Sequence, residues 1–368
     1  MRSSRAGIAL LLAAMLGLAA CSAPAPGSEP VAAATDIPRV PLSELTASAD
    51  PRALEGPSTA ILGDAAIVPV LADPAQALPA TVLSRDAAGD VGTVVADTSR
   101  VIAMDLSGSL AATVWGLGFG DTLVGRDVST TIPGTEDLPI VTTGGHTVNA
   151  ESIIALAPTL VLTDGSVGPR DVVEQLRDVG ITVVFVENTA SFDGAAQLAR
   201  DVAAVFAAPE AGELLAAQIA GDVATARSEI ARLAPSGEDR LRIVFLYLRG
   251  AAGVYYLFGQ ESGADDLIAG LGGVDVAGEL GWRGMQPLTD EAMLAADPDL
   301  ILVMTGGLDS VGGVDALLES KPAIALTRAG ERRRIVDMAD GQILSFGPRS
   351  ASVLDALARA VYAPAAGS

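Results

Sequence analysis

Gly144-Gly145-His146-Thr147-Val148-Asn149-Ala150-Glu151-Ser152-Ile153-Ile154-Ala155-Leu156-Ala157-Pro158-Thr159-Leu160-Val161-Leu162-Thr163 decides the fold, because an altered copy follows later in the chain. That copy is Thr289-Asp290-Glu291-Ala292-Met293-Leu294-Ala295-Ala296-Asp297-Pro298-Asp299-Leu300-Ile301-Leu302. Glu151 answers Glu291, Ala155 answers Ala295, Pro158 answers Pro298 and Leu160 answers Leu300, all at one offset and without a gap. Each copy reads as an N-cap (Asn149, Thr289), a short amphipathic helix, a proline stop and a buried apolar strand. The repetition predicts two similar lobes. His146, at the head of the first copy, is the only histidine in the chain.

Before this stretch the pattern predicts a strand over Thr81–Ser84, a turn near Gly89 and a second strand at Gly92–Val95. A buried strand over Arg100–Asp105, a helix over Ser109–Leu117 and a strand over Thr122–Arg126 follow. After it come a helix over Asp171–Val179 and a strand over Thr182–Val186. Strands alternating with helices predict a parallel sheet covered on both faces, with the loops after the strands on one edge. His146 falls on that edge. From Ser191 to Leu233 strand signals vanish, and Glu210–Leu233 reads as one helix long enough to join two lobes as a stiff connector.

The second lobe opens with Leu241-Arg242-Ile243-Val244-Phe245-Leu246-Tyr247-Leu248-Arg249-Gly250, whose alternation sets Ile243, Phe245, Tyr247 and Arg249 on one face. Val254–Phe258 and Arg334–Asp337 are further strands, and Ala351–Val361 is the closing helix. Gly270-Leu271-Gly272 echoes Gly116-Leu117-Gly118 of the first lobe.

A chain of 368 residues, half of them hydrophobic, has room for two domains. Its 23 basic against 45 acidic residues leave a net charge of −22, which repels phosphate backbones and excludes nucleic acid as a natural partner. The single lysine, Lys321, precedes Pro322, so no phosphate-binding G-x-x-x-x-G-K-[ST] loop exists. The N-terminus has Arg2 and Arg5 ahead of an apolar run from Ile8 to Ala20, too short to span a bilayer. It ends in Leu18-Ala19-Ala20-Cys21, which resembles a bacterial lipoprotein signal with Cys21, the only cysteine, as the lipidated residue. The expected organisation is therefore a signal peptide over 1–20 and a lipid-anchored flexible tether over 21–80, rich in Ala, Pro and Ser. An N-terminal α/β lobe over 81–208, a connecting helix over 209–234 and a C-terminal α/β lobe over 235–368 complete it. The apolar content of Ile61–Leu71 is not explained by a tether.

An exported α/β chain of two lobes with a helical connector resembles the substrate-binding proteins of bacterial metal-chelate ABC importers, over about residues 81–362. Gly144-Gly145-His146 and Phe245-Leu246-Tyr247-Leu248-Arg249-Gly250 are most similar to the haem-binding branch of that family. The resemblance implies the class III periplasmic-binding-protein fold, two Rossmann-like lobes joined by one long rigid helix, with haem held in the cleft. It implies His146 and Tyr247 as axial ligands of ferric haem and Arg249 as the hydrogen-bonding partner of the tyrosine oxygen. Tyrosinate is a hard ligand suited to ferric iron, and a neighbouring cation favours the ionised phenol. Met304 and Trp282 are candidate pocket-lining residues. Glu151 and Glu291, equivalent in the two copies, are implied as the points that dock on the permease of a permease–ATPase importer. A glutamate in a first helical turn is also favoured by the helix dipole alone.

Two other readings stay open: a ferric-siderophore or cobalamin binder on the same fold, and a surface haem relay that never meets a permease. Enzyme chemistry finds no support. One histidine and no second cysteine leave no Cys-His pair, no G-x-S-x-G occurs, and no His/Cys cluster has metal-site spacing.

Overall fold

The computed structural model describes residues 39–86, 89–250 and 253–364. The signal peptide, Cys21 and the first part of the expected tether lie outside the described residues. The first-lobe sheet is parallel, in the order Leu123–Arg126, Val101–Met104, Leu160–Thr163, Thr182–Phe185. Val101–Met104, Leu160–Thr163 and Thr182–Phe185 are almost continuously buried apolar runs, as expected where helices cover both faces, while the edge strand Leu123–Arg126 alternates. Val101 and Ala103 point into one buried cluster with Leu110, Val114, Leu198 and Val202, and Ile102 and Met104 into another with Ile153, Val173 and Leu176.

The second-lobe sheet runs in the order Ser58–Ala60, Ile335–Met338, Leu300–Met304, Arg242–Arg249, Val254–Phe258, Met285–Pro287, with Val274–Asp275 also paired to Arg242–Arg249. The first four strands are parallel, and Val254–Phe258 pairs antiparallel with both of its neighbours, so Met285–Pro287 runs in the direction of the first four. The helix Pro209–Leu233 opens on a proline at its first position and buries Leu215, Ile219, Val223 and Ile230 on one stripe. It packs on Phe192–Val205 of the first lobe and on Ser350–Tyr362, the closing helix of the second.

The duplication read from the sequence is structural. Asn149 Oδ1 accepts from Ser152 N at 3.1 Å, and Thr289 Oγ1 accepts from Ala292 N at 3.2 Å. The helices they cap, Ala150–Ala155 and Asp290–Ala296, bury Ile153 and Met293 completely at the same position of the repeat. Each then turns through a left-handed residue, Ala157 with φ 44° and Asp297 with φ 35°, before its proline and strand.

The expectation of a flexible tether as far as residue 80 is corrected. Residues 39–80 form a strap that touches both lobes. Its first half belongs to the second lobe: Leu42 is buried, Ser48 N donates to Tyr362 O at 2.8 Å, and Ser58–Ala60 extends the sheet edge beside Ile335–Met338. Arg334, almost wholly buried, pins that strand by donating to Ser58 Oγ at 2.9 Å and to Gly56 O at 3.3 Å. The strap then crosses. Leu62, Ala65 and Ile67 are buried, and Val70 N donates to the carbonyl of Gly116 at 2.9 Å. Gly118, at φ 99°, lies so close that a β carbon would strike the Leu71 carbonyl. This accounts for Leu62, Ala65 and Ile67 in the apolar stretch Ile61–Leu71 and for part of the glycine-rich turn, while Ile61 and Val68 stay exposed. Prolines hid the strap in the sequence, and its three-residue strand is too short to show a period.

Candidate ligand-binding site

His146 comes from a small hairpin, Thr142–Thr143 paired with Thr147–Val148, joined by Gly144-Gly145-His146. Both glycines need positive φ, 55° and 94°, while nothing lies within 4 Å of where their β carbons would stand. Conformation, not space, demands glycine here. Tyr247 and Arg249 sit two apart near the end of the strand Arg242–Arg249, so alternation sends both to the same side. Hairpin and strand belong to different lobes, and His146, Tyr247 and Arg249 line one cavity of about 590 Å³. That volume lies in the range of small-molecule sites, roughly 300–1,000 Å³.

Arg249 Nε donates to Tyr247 Oη at 2.8 Å, with its guanidinium carbon 5.1 Å from the tyrosine ring centre. Arg249 Nη1 stands 3.7 Å from Asp340 Oδ2. A fixed cation at a phenolic oxygen stabilises negative charge there. Phe258 lies nearly parallel to the Tyr247 ring, 6.0 Å between centres. His146 Nδ1 is buried and finds no hydrogen-bond partner among the described residues. Burial, and then the charge of Arg249, push the imidazole below its usual value, with Asp340 acting the other way. The ring is therefore neutral at neutral pH, the form that ligates metals. Leu106, Val128 and Met285 add large apolar surface to the lining, each roughly half exposed. The site presents an imidazole with an unpaired buried Nδ1 from one lobe, a charge-supported phenol from the other, and apolar walls between them.

Met304, at the end of its strand, lines the cavity. Trp282 does not; it packs on the second-lobe cluster around Val276 and Ala277, and its neighbours Gly284 and Met285 take the wall position. Glu151 and Glu291 are exposed, each on the outer face of its helix. The sequence reading missed Asp340, Phe258 and Asn188, whose chain segments carry no motif, as well as the serines of the floor, Ser107 and Ser109. Beneath that floor Asp105 is fully buried and accepts from Ser107 Oγ at 2.7 Å, Ser109 N at 3.0 Å and Leu110 N at 3.0 Å. Burial, with Asp164 and Asp127 nearby, pushes its carboxyl up to about 7.

The two-lobed architecture with a cavity between the lobes is that of a binding protein, and the family profile described as periplasmic binding protein matches residues 105–340. The chain belongs to this family, which is one of substrate-binding proteins rather than enzymes, and it has the class III fold. Among solved structures it is similar to the haem-binding protein HmuT, at 42% identity over 85% of this chain and 99% of that one, with a TM-score of 0.79. Structures of HmuT with one histidine, one tyrosine or one arginine replaced by alanine are similar to it as well. The replaced tyrosine and arginine are two residues apart, and the replaced histidine precedes them by roughly a hundred. Among curated proteins, an uncharacterised ABC transporter substrate-binding lipoprotein of Bacillus subtilis, YvrC, is 24% identical over 78% of this chain and 87% of its own. A cobalamin-binding protein of Halobacterium salinarum is 26% identical over 79% of this chain and 76% of its own.

Proposed function

We propose that this protein captures ferric haem in the interlobe cavity and delivers it to an ABC permease. One observation carries the reading: His146 from the first lobe and the Tyr247–Arg249 pair from the second line the same cavity. An imidazole with an unpaired buried nitrogen and a phenol beside a guanidinium are suited to ferric iron from two sides. The apolar walls suit a porphyrin. Tyr247, Arg249 and His146 also reproduce the residue types and approximate spacing of the positions replaced in HmuT. Haem is the transported ligand in this reading, not a resident group.

Titration of the purified protein with ferric haem, followed by visible absorption, tests it. A saturable one-to-one spectrum that changes in His146→Ala and again in Tyr247→Ala supports both ligands. A spectrum like that of free haem refutes the reading. The alternative with an observation behind it is cobalamin, given the cobalamin-binding relative; retention of cobalamin but not haem would select it.

The docking role belongs to the same proposal. Glu151 and Glu291 are exposed at equivalent places on the two lobes, and so are Ile154 and Leu294, three residues on in each copy. Two like faces, each an acid beside an apolar side chain, match a partner with two like halves. The lipid on Cys21 and the extracytoplasmic membrane location complete the proposal. They draw support from the leader pattern and from the kinship to a lipoprotein.

A further inference from the structure

We propose that Asp340 is a positioning residue that holds Arg249 against the Tyr247 oxygen, and that Gly306 in turn sets Asp340. The inference rests on the reading of Tyr247 as an iron ligand. A guanidinium is a planar fork, so two fixed points determine its plane. For Arg249 these are Tyr247 Oη, 2.8 Å from Nε, and Asp340 Oδ2, 3.7 Å from Nη1. Asp340 is the only carboxylate that pairs with Arg249 among the described residues.

Asp340 cannot simply follow the arginine. Its other oxygen, Oδ1, accepts from Gly306 N at 2.7 Å. A β carbon at residue 306 would stand 3.0 Å from Oδ2 and 3.1 Å from Oδ1, so glycine lets the backbone approach this closely. The neighbouring Thr305 donates its hydroxyl to Asp337 Oδ2 at 2.6 Å, while Asp337 Oδ1 accepts from Thr59 of the strap at 2.9 Å. A chain of contacts thus runs from the strap, through the ends of two sheet strands, to the phenolic oxygen. Freed of Asp340, the long and part-exposed Arg249 side chain would regain rotamers and spend less time on Tyr247.

The test compares wild type, Asp340→Ala, Asp340→Asn, Arg249→Ala and the Asp340→Ala/Arg249→Ala double variant. Each is loaded with ferric haem, and two quantities are read: the rate of haem loss to excess apomyoglobin and the phenolate-to-iron charge-transfer band. Asp340→Ala should lose haem roughly 2- to 5-fold faster, the effect of a half-exposed ion pair. It should also shift the band in the same direction as Arg249→Ala, and the double variant should lose haem no faster than Arg249→Ala alone. Asp340→Asn, which keeps an acceptor without the charge, should fall between. Gly306→Ala should reproduce the band shift with the carboxylate still present, which guards against a folding defect in one variant. Additive losses in the double variant, or an unmoved band in Asp340→Ala, would overturn the proposal. If Tyr247→Ala leaves the wild-type band in place, the ligand reading fails instead.

Discussion

Trp115 Nε1 donates to the carbonyl of Ile67 at 3.1 Å, joining the first lobe to a strap whose earlier residues are paired into the sheet of the second. The lobes are therefore connected twice, by this strap and by the helix Pro209–Leu233. Two connections that both pack on the lobes restrict how far the lobes rotate. Rotation between haem-free and haem-bound crystals is expected to stay small. A rotation of tens of degrees would contradict this.

Arg334 is the anchor of the strap on the second-lobe side. Its guanidinium donates to Ser58 Oγ, Gly56 O, Ala360 O and Val361 O and pairs with no carboxylate among the described residues, and burial pushes it down to about 10. Arg334→Leu strands these acceptors and should cost about 3 kcal/mol. Urea unfolding of the purified protein measures it; a loss below about 0.5 kcal/mol, the range of ordinary surface changes, would show that the strap does not depend on this residue.

Arg249→Ala should raise the haem dissociation rate roughly 5- to 10-fold, because a charge-assisted hydrogen bond to the ligand oxygen is lost from a part-exposed site. Arg249→Lys should recover little of it, since a lysine ammonium is a point charge without the arginine fork. Full recovery by lysine would reduce the role of Arg249 to net charge.

Reversing charge at Glu151 and Glu291 together is expected to stop haem uptake by cells while leaving haem affinity unchanged, because both side chains are exposed and neither lines the cavity. Ile154→Ser with Leu294→Ser should weaken uptake in the same way. Loss of haem binding in either pair would remove the docking role.

Stability should fall as pH rises from about 4 to about 7. Asp105 has its carboxyl pushed up to about 7 in the fold against an ordinary 3.8, so the folded state holds a proton that the unfolded chain has released. The associated stability is complete below the ordinary value and gone above about 7. Asp127, buried beside it, shifts the same way. The melting temperature at pH 5 should exceed that at pH 7.5 by several degrees, and Asp105→Asn should flatten the difference. An equal slope in that variant would assign the effect elsewhere.

The duplicated helix–proline–strand unit was legible because its cues are local: an N-cap, a 3.6-residue period and a proline stop each lie within a few residues. The strap was not. Ser58 pairs with Val336 across most of the chain length, and no local pattern announces such a partner. Met304 and Trp282 were equal candidates for the pocket wall in the sequence; Met304 lines the cavity, whereas Trp282 packs on the second-lobe cluster and Met285 stands in the wall. That difference turns on where the chain bends after Gly281, at φ 81°, and Gly284, at φ 63°.

Periodicity, capping residues and composition are enough to determine two α/β lobes, a long helix and an acidic surface, because each follows from neighbours in the chain. The side of the strand that carries Tyr247 and Arg249 follows in the same way from alternation. That His146 shares their cavity, that Asp340 closes on Arg249 and that the N-terminal strap spans both lobes were decided only by the tertiary structure. These contacts join segments tens to hundreds of residues apart, and their geometry is set by how the sheets and helices pack.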